Sequence, residues 1–294
     1  IEETDAATEV DESGSTDIFT VVLDAQPTSD VVLTITSDDT GEATVPASVT
    51  FTAADWDTPQ TVTVTGVDDS LIDGTVTSTI TVAVDDANSD DDFDGLDDQT
   101  VSVDTLDDDV AGFTIEETDG STEVDESGST DIFTIVLDAQ PTNDVVVLAT
   151  ASNDETEATV SGSITFTSEN WDTPQTVTVT GVDDDLVDGD QTYDITISIV
   201  DTISDDEFDG VADQSVSSTT LDDDAPGFTI EETDAATEVD ESGSTDIFTV
   251  VLDAQPTSDV VLTITSDDTG EATVPASVTF TAADWDTPQT VTVT

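Results

Sequence analysis

Residues 175–190 read Gln-Thr-Val-Thr-Val-Thr-Gly-Val-Asp-Asp-Asp-Leu-Val-Asp-Gly-Asp. In the first half Val177 and Val179 fall on one face and Thr176, Thr178 and Thr180 on the other, the period-two pattern of a half-buried strand. The second half abandons alternation for carboxylates set around a glycine, a turn-forming composition. Alternation returns in residues 194–200, Asp-Ile-Thr-Ile-Ser-Ile-Val, and in residues 163–167, Ser-Ile-Thr-Phe-Thr, while residues 131–137 are rich in the Ile, Phe, Thr and Val that favour β-structure. No window carries an apolar stripe of helical period. Turn chemistry at residues 138–143, 171–174 and 188–189 separates these runs. Short strands at such spacing predict an all-β chain of antiparallel, Ig-like β-sandwich domains.

The same strand and loop occur earlier, where residues 61–74 read Thr-Val-Thr-Val-Thr-Gly-Val-Asp-Asp-Ser-Leu-Ile-Asp-Gly. The segment Ile-Glu-Glu-Thr-Asp starts at Ile1, Ile115 and Ile230, giving periods of 114 and 115 residues. That is too long for a solenoid unit of about 20 to 50 residues, so the repeat is a whole domain. Residues 230–294 are identical to residues 1–65, and the middle copy diverges. Three units placed end to end follow: residues 1–111, residues 112–226, and a truncated third repeat at residues 227–294. The stop at Thr294, counterpart of Thr65, is expected of a window on a longer tandem array or polymer; strand addition from a neighbouring molecule is the other account.

The chain has 294 residues, 72 Asp plus Glu, and no Lys, Arg, His, Cys or Met. Without His or Cys there is no triad nucleophile, and without Lys neither a Schiff base nor a phosphate-loop lysine, so an enzyme is not expected. Nucleic acid is excluded as a partner because nothing neutralises phosphates. No run approaches 18 apolar residues and no basic-then-apolar leader opens the chain, so no membrane span is expected in this segment and any export signal lies outside it. High net charge with modest hydrophobicity raises disorder, which the strict alternation opposes. None of Asn88, Asn143, Asn153 and Asn170 has Ser or Thr two residues on, so N-linked glycans are not expected. Trp56, Trp171 and Trp285 share one Trp-Asp-Thr-Pro-Gln context, read as core or edge anchors, with a sugar-stacking platform as the other reading.

Carboxylates gather in three regions of each repeat: residues 68–74 and 183–190, residues 89–98 and 204–213, and the triplets 107–109 and 222–224. Adjacent aspartates repel unless a cation lies between them, and no basic side chain exists to serve. Calcium takes six to eight oxygen ligands and suits Asp-rich loops with a turn glycine, whereas Mg²⁺ demands tighter geometry and Zn²⁺ prefers His or Cys. Structural Ca²⁺, several ions per repeat, is therefore the expected cofactor. Solvated acidic loops that maintain solubility are the alternative, and a catalytic carboxylate pair a remote third.

The run from Thr176 to Asp190 followed by a second alternating strand and the Asp222-Asp223-Asp224 triplet resembles the Calx-beta domain, found in tandem in large surface proteins and adhesins of marine bacteria. The resemblance implies a β-sandwich binding several Ca²⁺ at one end. It implies ligands at Glu126, Asp183, Asp184, Asp188, the Leu186 carbonyl, Asp222, Asp223 and Asp224 in the middle copy. In the first copy these are Glu12, Asp68, Asp69, Asp73, Asp107, Asp108 and Asp109. Gln191 and Val76 stand where the family often has another Glu, and the loops bearing Asp94 and Asp209 look like an addition that carries an extra ion.

Each Asp triplet lies a few residues before the next repeat, so its ions are expected to be shared with Glu116 and Glu117, or with Glu231 and Glu232. Such bridges give a calcium-stiffened rod, filament or stalk, extracellular or at the cell surface, whose partners are neighbouring copies of the same repeat. The alternative is an adhesin whose repeats themselves bind a glycan or surface receptor.

Overall fold

The computed structural model describes the chain except for residues 4–6 and 153–155; Asn153 lies outside the described residues. The first repeat forms β1 (Glu2–Glu3), β2 (Thr8–Asp11), β3 (Thr16–Val21), β4 (Val31–Ser37), β5 (Ala43–Thr44), β6 (Ser48–Phe51), β7 (Gln60–Gly66), β8 (Val76–Val84) and β9 (Gln99–Leu106). The second forms β10 (Phe113–Glu117), β11 (Thr122–Asp125), β12 (Thr130–Leu137), β13 (Val145–Ala151), β14 (Ala158–Val160), β15 (Ser163–Phe166), β16 (Gln175–Gly181), β17 (Gln191–Ile199) and β18 (Gln214–Leu221). The third has β19 (Phe228–Glu232), β20 (Asp246–Leu252), β21 (Val260–Thr263), β22 (Ser277–Phe280) and β23 (Gln289–Val293).

The chain is a tandem of β-sandwich domains. In each of the first two repeats a four-stranded sheet, β1-β3-β7-β5 or β10-β12-β16-β14, faces a five-stranded one, β2-β9-β8-β4-β6 or β11-β18-β17-β13-β15. Pairing is antiparallel except at one edge, where β2 runs parallel to β9 and β11 to β18. That exception arises because the N-terminal strand divides: β1 joins one sheet antiparallel to β3, and the chain then crosses to the other sheet before turning at residues 11–15. The crossing places the residue after β2, Glu12 or Glu126, between the sheets at one end of the sandwich.

Alternation decides what is buried. On β7 Val62 and Val64 are fully buried while Thr61 and Thr63 are exposed, and β16 repeats the pattern. Phe19, Phe51, Phe133 and Phe166 fill the centres of the two cores. The third repeat has a three-stranded sheet, β19-β20-β23, a separate β21-β22 pair, and a core reduced to Val250, Leu252, Phe280 and Val291.

Candidate metal centre

Each of the first two repeats brings four segments to one end. In the first repeat Gly66 closes β7 where a Cβ would stand 2.0 Å from the Asp11 carbonyl oxygen; at Gly181 the distance to the Asp125 carbonyl is 1.9 Å. Only glycine fits this approach, which sets the acidic loop after β7 against the turn that follows β2. That turn is built by Asp11, whose N–H donates to Ser15 Oγ at 2.7 Å and whose carboxylate accepts from the Ser13 hydroxyl, with Gly14 at φ +89°. Asp125, Ser127, Ser129 and Gly128 do the same in the second repeat.

The loop itself is shaped by its own aspartates. Asp69 Oδ1 accepts from the Leu71 N–H at 2.7 Å, Gly74 at φ +70° donates its N–H to Asp107 Oδ2 at 2.8 Å, and Asp107 Oδ1 accepts from Asp109 N–H at 2.8 Å. The second repeat has the same three bonds, Leu186 N–H to Asp184, Gly189 N–H to Asp222 and Asp224 N–H to Asp222, at 2.7, 2.7 and 2.8 Å.

These bonds gather carboxylates around a buried glutamate. Oxygens of Glu12, Asp107 and Asp109 lie within 4.8 Å of one another, as do those of Glu126, Asp184 and Asp224. Glu12 is 0% exposed and neither of its carboxylate oxygens has a hydrogen-bond partner; Glu126 is 1% exposed and its Oε2 has none. Burial first, then the charges of Asp69, Asp107, Asp73 and Glu42, push Glu12 up to about 7. Burial, then Asp184, Asp222, Glu157 and Asp188, push Glu126 to about 7. Asp73, Asp109 and Asp224 are raised too, in each case chiefly by burial and then by neighbouring aspartates.

Glu42 and Glu157 belong to this end and were missed in the sequence. Each precedes the short strand β5 or β14, each has an unpartnered Oε2, and burial followed by the Asp73 or Asp188 charge raises each. Their signal was faint: a Glu before Ala-Thr-Val, outside the three loop regions where the carboxylates are densest. Asp68, Asp183, Asp108 and Asp223 are exposed at the rim.

Other expected ligands stand elsewhere. Glu116 lies on β10 opposite Thr134, and Glu117 accepts from the Thr122 hydroxyl at 3.3 Å; Glu231 and Glu232 are exposed on β19 opposite Thr249 and Phe248. None joins a carboxylate group among the described residues. Asp94 and Asp209 sit in the long loops beside other aspartates, and burial and those charges raise both. The organising residue of the first of these loops is Asp90, which accepts from Thr28 N–H at 2.6 Å, Thr28 Oγ1 at 2.8 Å and Ser29 N–H at 2.8 Å. The Ser29 N–H first, then the Thr28 hydroxyl, hold Asp90 down at about 2.

Backbone and apolar contacts join the repeats. Gln140 N–H donates to the Ser70 carbonyl at 2.7 Å and Gln255 N–H to the Asp185 carbonyl at 2.6 Å, with Leu71 bridged to Gln140 and Leu186 to Gln255. Ile72 packs against the second core, and Val187 lines a cleft with Phe228, Ala254 and Pro256. The loop that carries Asp69 and Asp73 thus presents its Leu-Ile tip to the next domain.

No family model matches the chain, and no curated protein matches it. Among solved structures, the calcium binding domain CBD12 of CALX1.1 is similar at 15% identity and TM-score 0.29, over 65% of this chain and 77% of that one. Domains 4–9 of the surface layer protein SbsC are similar at 17% identity and TM-score 0.31, over 93% of this chain and 35% of that one. At that distance neither likeness bears on the chemistry of the carboxylate groups. No helix among the described residues is long and apolar enough to cross a membrane.

Proposed function

We propose that the carboxylate ends of the first two repeats are structural Ca²⁺ sites, and that the chain is a stretch of an extracellular, calcium-stabilised repeat protein of Calx-beta type. One observation carries this reading: Glu12 and Glu126 are buried and ringed by further carboxylates, with both carboxylate oxygens of Glu12 and Oε2 of Glu126 unpartnered, in a chain that offers no cationic side chain. An uncompensated buried charge costs several kcal/mol, so such a site is stable only with its protons on or with a cation present. The donors are all oxygen, and their number suits an ion that takes six to eight of them.

In the first repeat Glu12, Glu42, Asp69, Asp73, Asp107 and Asp109 would hold the metal, and in the second Glu126, Glu157, Asp184, Asp188, Asp222 and Asp224. The ion supplies charge neutralisation. The residues supply the rest: Gly66 and Gly181 bring the segments together, and Asp107 and Asp222 tie the loop glycine to the terminal acidic run. Neutralised loops would hold Leu71 and Ile72 in place against the next repeat, so loading would stiffen the joint. Extracellular modules bind calcium in the millimolar range found outside cells, which favours that location.

Calcium titration of the full chain by calorimetry, with thermal unfolding in calcium and in chelator, tests the reading. Heat of binding and a rise in melting temperature with calcium, larger than with magnesium, are expected; equal stability in calcium and chelator overturns it.

A further inference from the structure

The two carboxylate centres are built alike but not charged alike. Their loops align residue for residue, Asp68-Asp69-Ser70-Leu71-Ile72-Asp73-Gly74-Thr75-Val76 against Asp183-Asp184-Asp185-Leu186-Val187-Asp188-Gly189-Asp190-Gln191. Ser70 and Thr75 of the first loop are thus aspartates in the second. Elsewhere around the centres the differences in charge cancel. Asp38 and Asp39 stand shortly before Glu42, and Asp154 and Glu155 shortly before Glu157, the latter pair outside the described residues. Asp104 of the first repeat gives way to Thr219, while Thr79 gives way to Asp194.

Both added acids reach the second centre. Burial and then the charge of Asp185, ahead of Asp222, Asp223 and Asp184, raise Asp224; the charges that act on Asp109 after its burial come from aspartates common to both repeats. Asp190 Oδ1 accepts from the Asp222 N–H at 3.3 Å, and Gln191 Nε2 donates to the Asp188 and Gly189 carbonyls at 3.3 and 3.0 Å. Thr75 and Val76 make no such bonds, so the second loop is the more firmly tied.

We infer that the second centre binds calcium more tightly than the first, with Asp185, Asp190 and Gln191 setting the difference, so that the chain loads in two steps. The inference rests on the reading of these centres as Ca²⁺ sites, for which the buried Glu12 and Glu126 with their unpartnered oxygens are the independent ground. Oxygen sites tune calcium affinity by charge and by rigidity, and here both change in the same direction. Two added carboxylates strengthen the attraction that a divalent ion meets. Both are exposed, so salt moderates their effect and a difference of about tenfold is expected. The added bonds hold Asp188, Gly189 and Asp222 in place before the ion arrives, which lowers the cost of ordering them. Asp185 also stands at a joint, since its carbonyl accepts from the Gln255 N–H at 2.6 Å. The joint between the second and third repeats is therefore the first to respond as calcium rises.

The test is a calcium titration of the full ¹⁵N-labelled chain at about 0.15 M salt. It follows the amide resonances of Gly74 and Gly189, whose N–H groups donate to Asp107 and Asp222. Gly189 is expected to reach its bound position at about one tenth of the free calcium that Gly74 needs. Asp185→Ser/Asp190→Thr/Gln191→Val gives the second loop the residues of the first and is expected to bring the two midpoints together. Ser70→Asp/Thr75→Asp/Val76→Gln, the reciprocal exchange, is expected to lower the Gly74 midpoint about tenfold. Each new residue already stands at the matching place in the sister repeat, and circular dichroism melting checks that both variants fold. Coincident midpoints in the wild type, or midpoints that the exchanges leave unmoved, overturn this inference and leave both centres standing as calcium sites. If neither resonance moves and no heat of binding is found, the calcium reading itself fails and this inference with it.

Discussion

Replacing Glu12 and Glu126 together by Gln is expected to have opposite effects on stability with and without calcium. In chelator at pH 8 each glutamate is deprotonated in the folded chain although burial and its neighbours raise it to about 7, against an ordinary value of 4.5. That difference corresponds to roughly 3 kcal/mol per repeat at 1.4 kcal/mol per pH unit. Gln carries no charge, and its amide N–H groups can donate to the surrounding aspartates, so most of that destabilisation disappears. A gain of roughly 3 kcal/mol in a domain of this size raises the melting temperature by about 10 °C. In 5 mM calcium the order reverses, because the variant has lost a central charged donor from each site. If calcium stands at about 1,000 times the dissociation constant, the wild type gains about 4.1 kcal/mol per site, more than the deficit it carries in chelator, and the variant much less. Differential scanning calorimetry of both proteins in both conditions measures the crossing. A variant less stable than the wild type in chelator would refute the account of Glu12 and Glu126 as buried, uncompensated carboxylates.

In chelator the wild type should lose stability as pH rises. The folded value of about 7 exceeds the unfolded 4.5, so the folded state binds more protons in that window and unfolding free energy falls from pH 4.5 to about 7, then levels; urea midpoints at half-unit steps test the sign. Gly66→Ala or Gly181→Ala, where a Cβ meets a carbonyl oxygen at about 2 Å, should cost about 3 kcal/mol or more in calcium, read as a melting shift confined to the affected repeat. Ile72→Asn should leave the first core intact but loosen the first joint by about 1–2 kcal/mol; faster proteolysis near residues 108–112 and a broader small-angle scattering distance distribution are the readouts. Asp90→Ala strands the Thr28 and Ser29 N–H donors and should cost about 1–3 kcal/mol, with hydrogen exchange rising across residues 85–98; unchanged exchange there would argue against its anchoring role.

Much of the carboxylate centre was legible before folding. The runs at residues 68–73 and 107–109 marked two of its loops, because a backbone turn made by consecutive residues is a local matter, whereas Glu12 was named only through the resemblance to the Calx-beta domain. Glu42 was not legible: it reaches the centre only because β5 pairs with β7, a contact no spacing along the chain encodes. Glu116 and Glu231 were misleading for the converse reason, since nearness in sequence to a junction says nothing about where a strand's alternation points a side chain.

The chain contains its own comparison. Residues 1–65 and 230–294 are identical, and both form the hairpin-like pairing of the strand at Phe19 or Phe248 with the strand at Val62 or Val291. The sequence by itself determined those strands and which of their faces is apolar, since alternation and turn residues act over a few neighbours. Yet Glu12 is fully buried while the identical Glu241 is exposed, and residues 8–11 form β2 while residues 237–240 form no strand. The first copy has β9 to pair with β2, and β8 beside it to join that edge to β4 and close the second sheet over Glu12; the third has no such strands among its described residues. Tertiary structure alone decided that a glutamate became part of a carboxylate centre, because burial is a property of the strands that arrive from elsewhere in the chain.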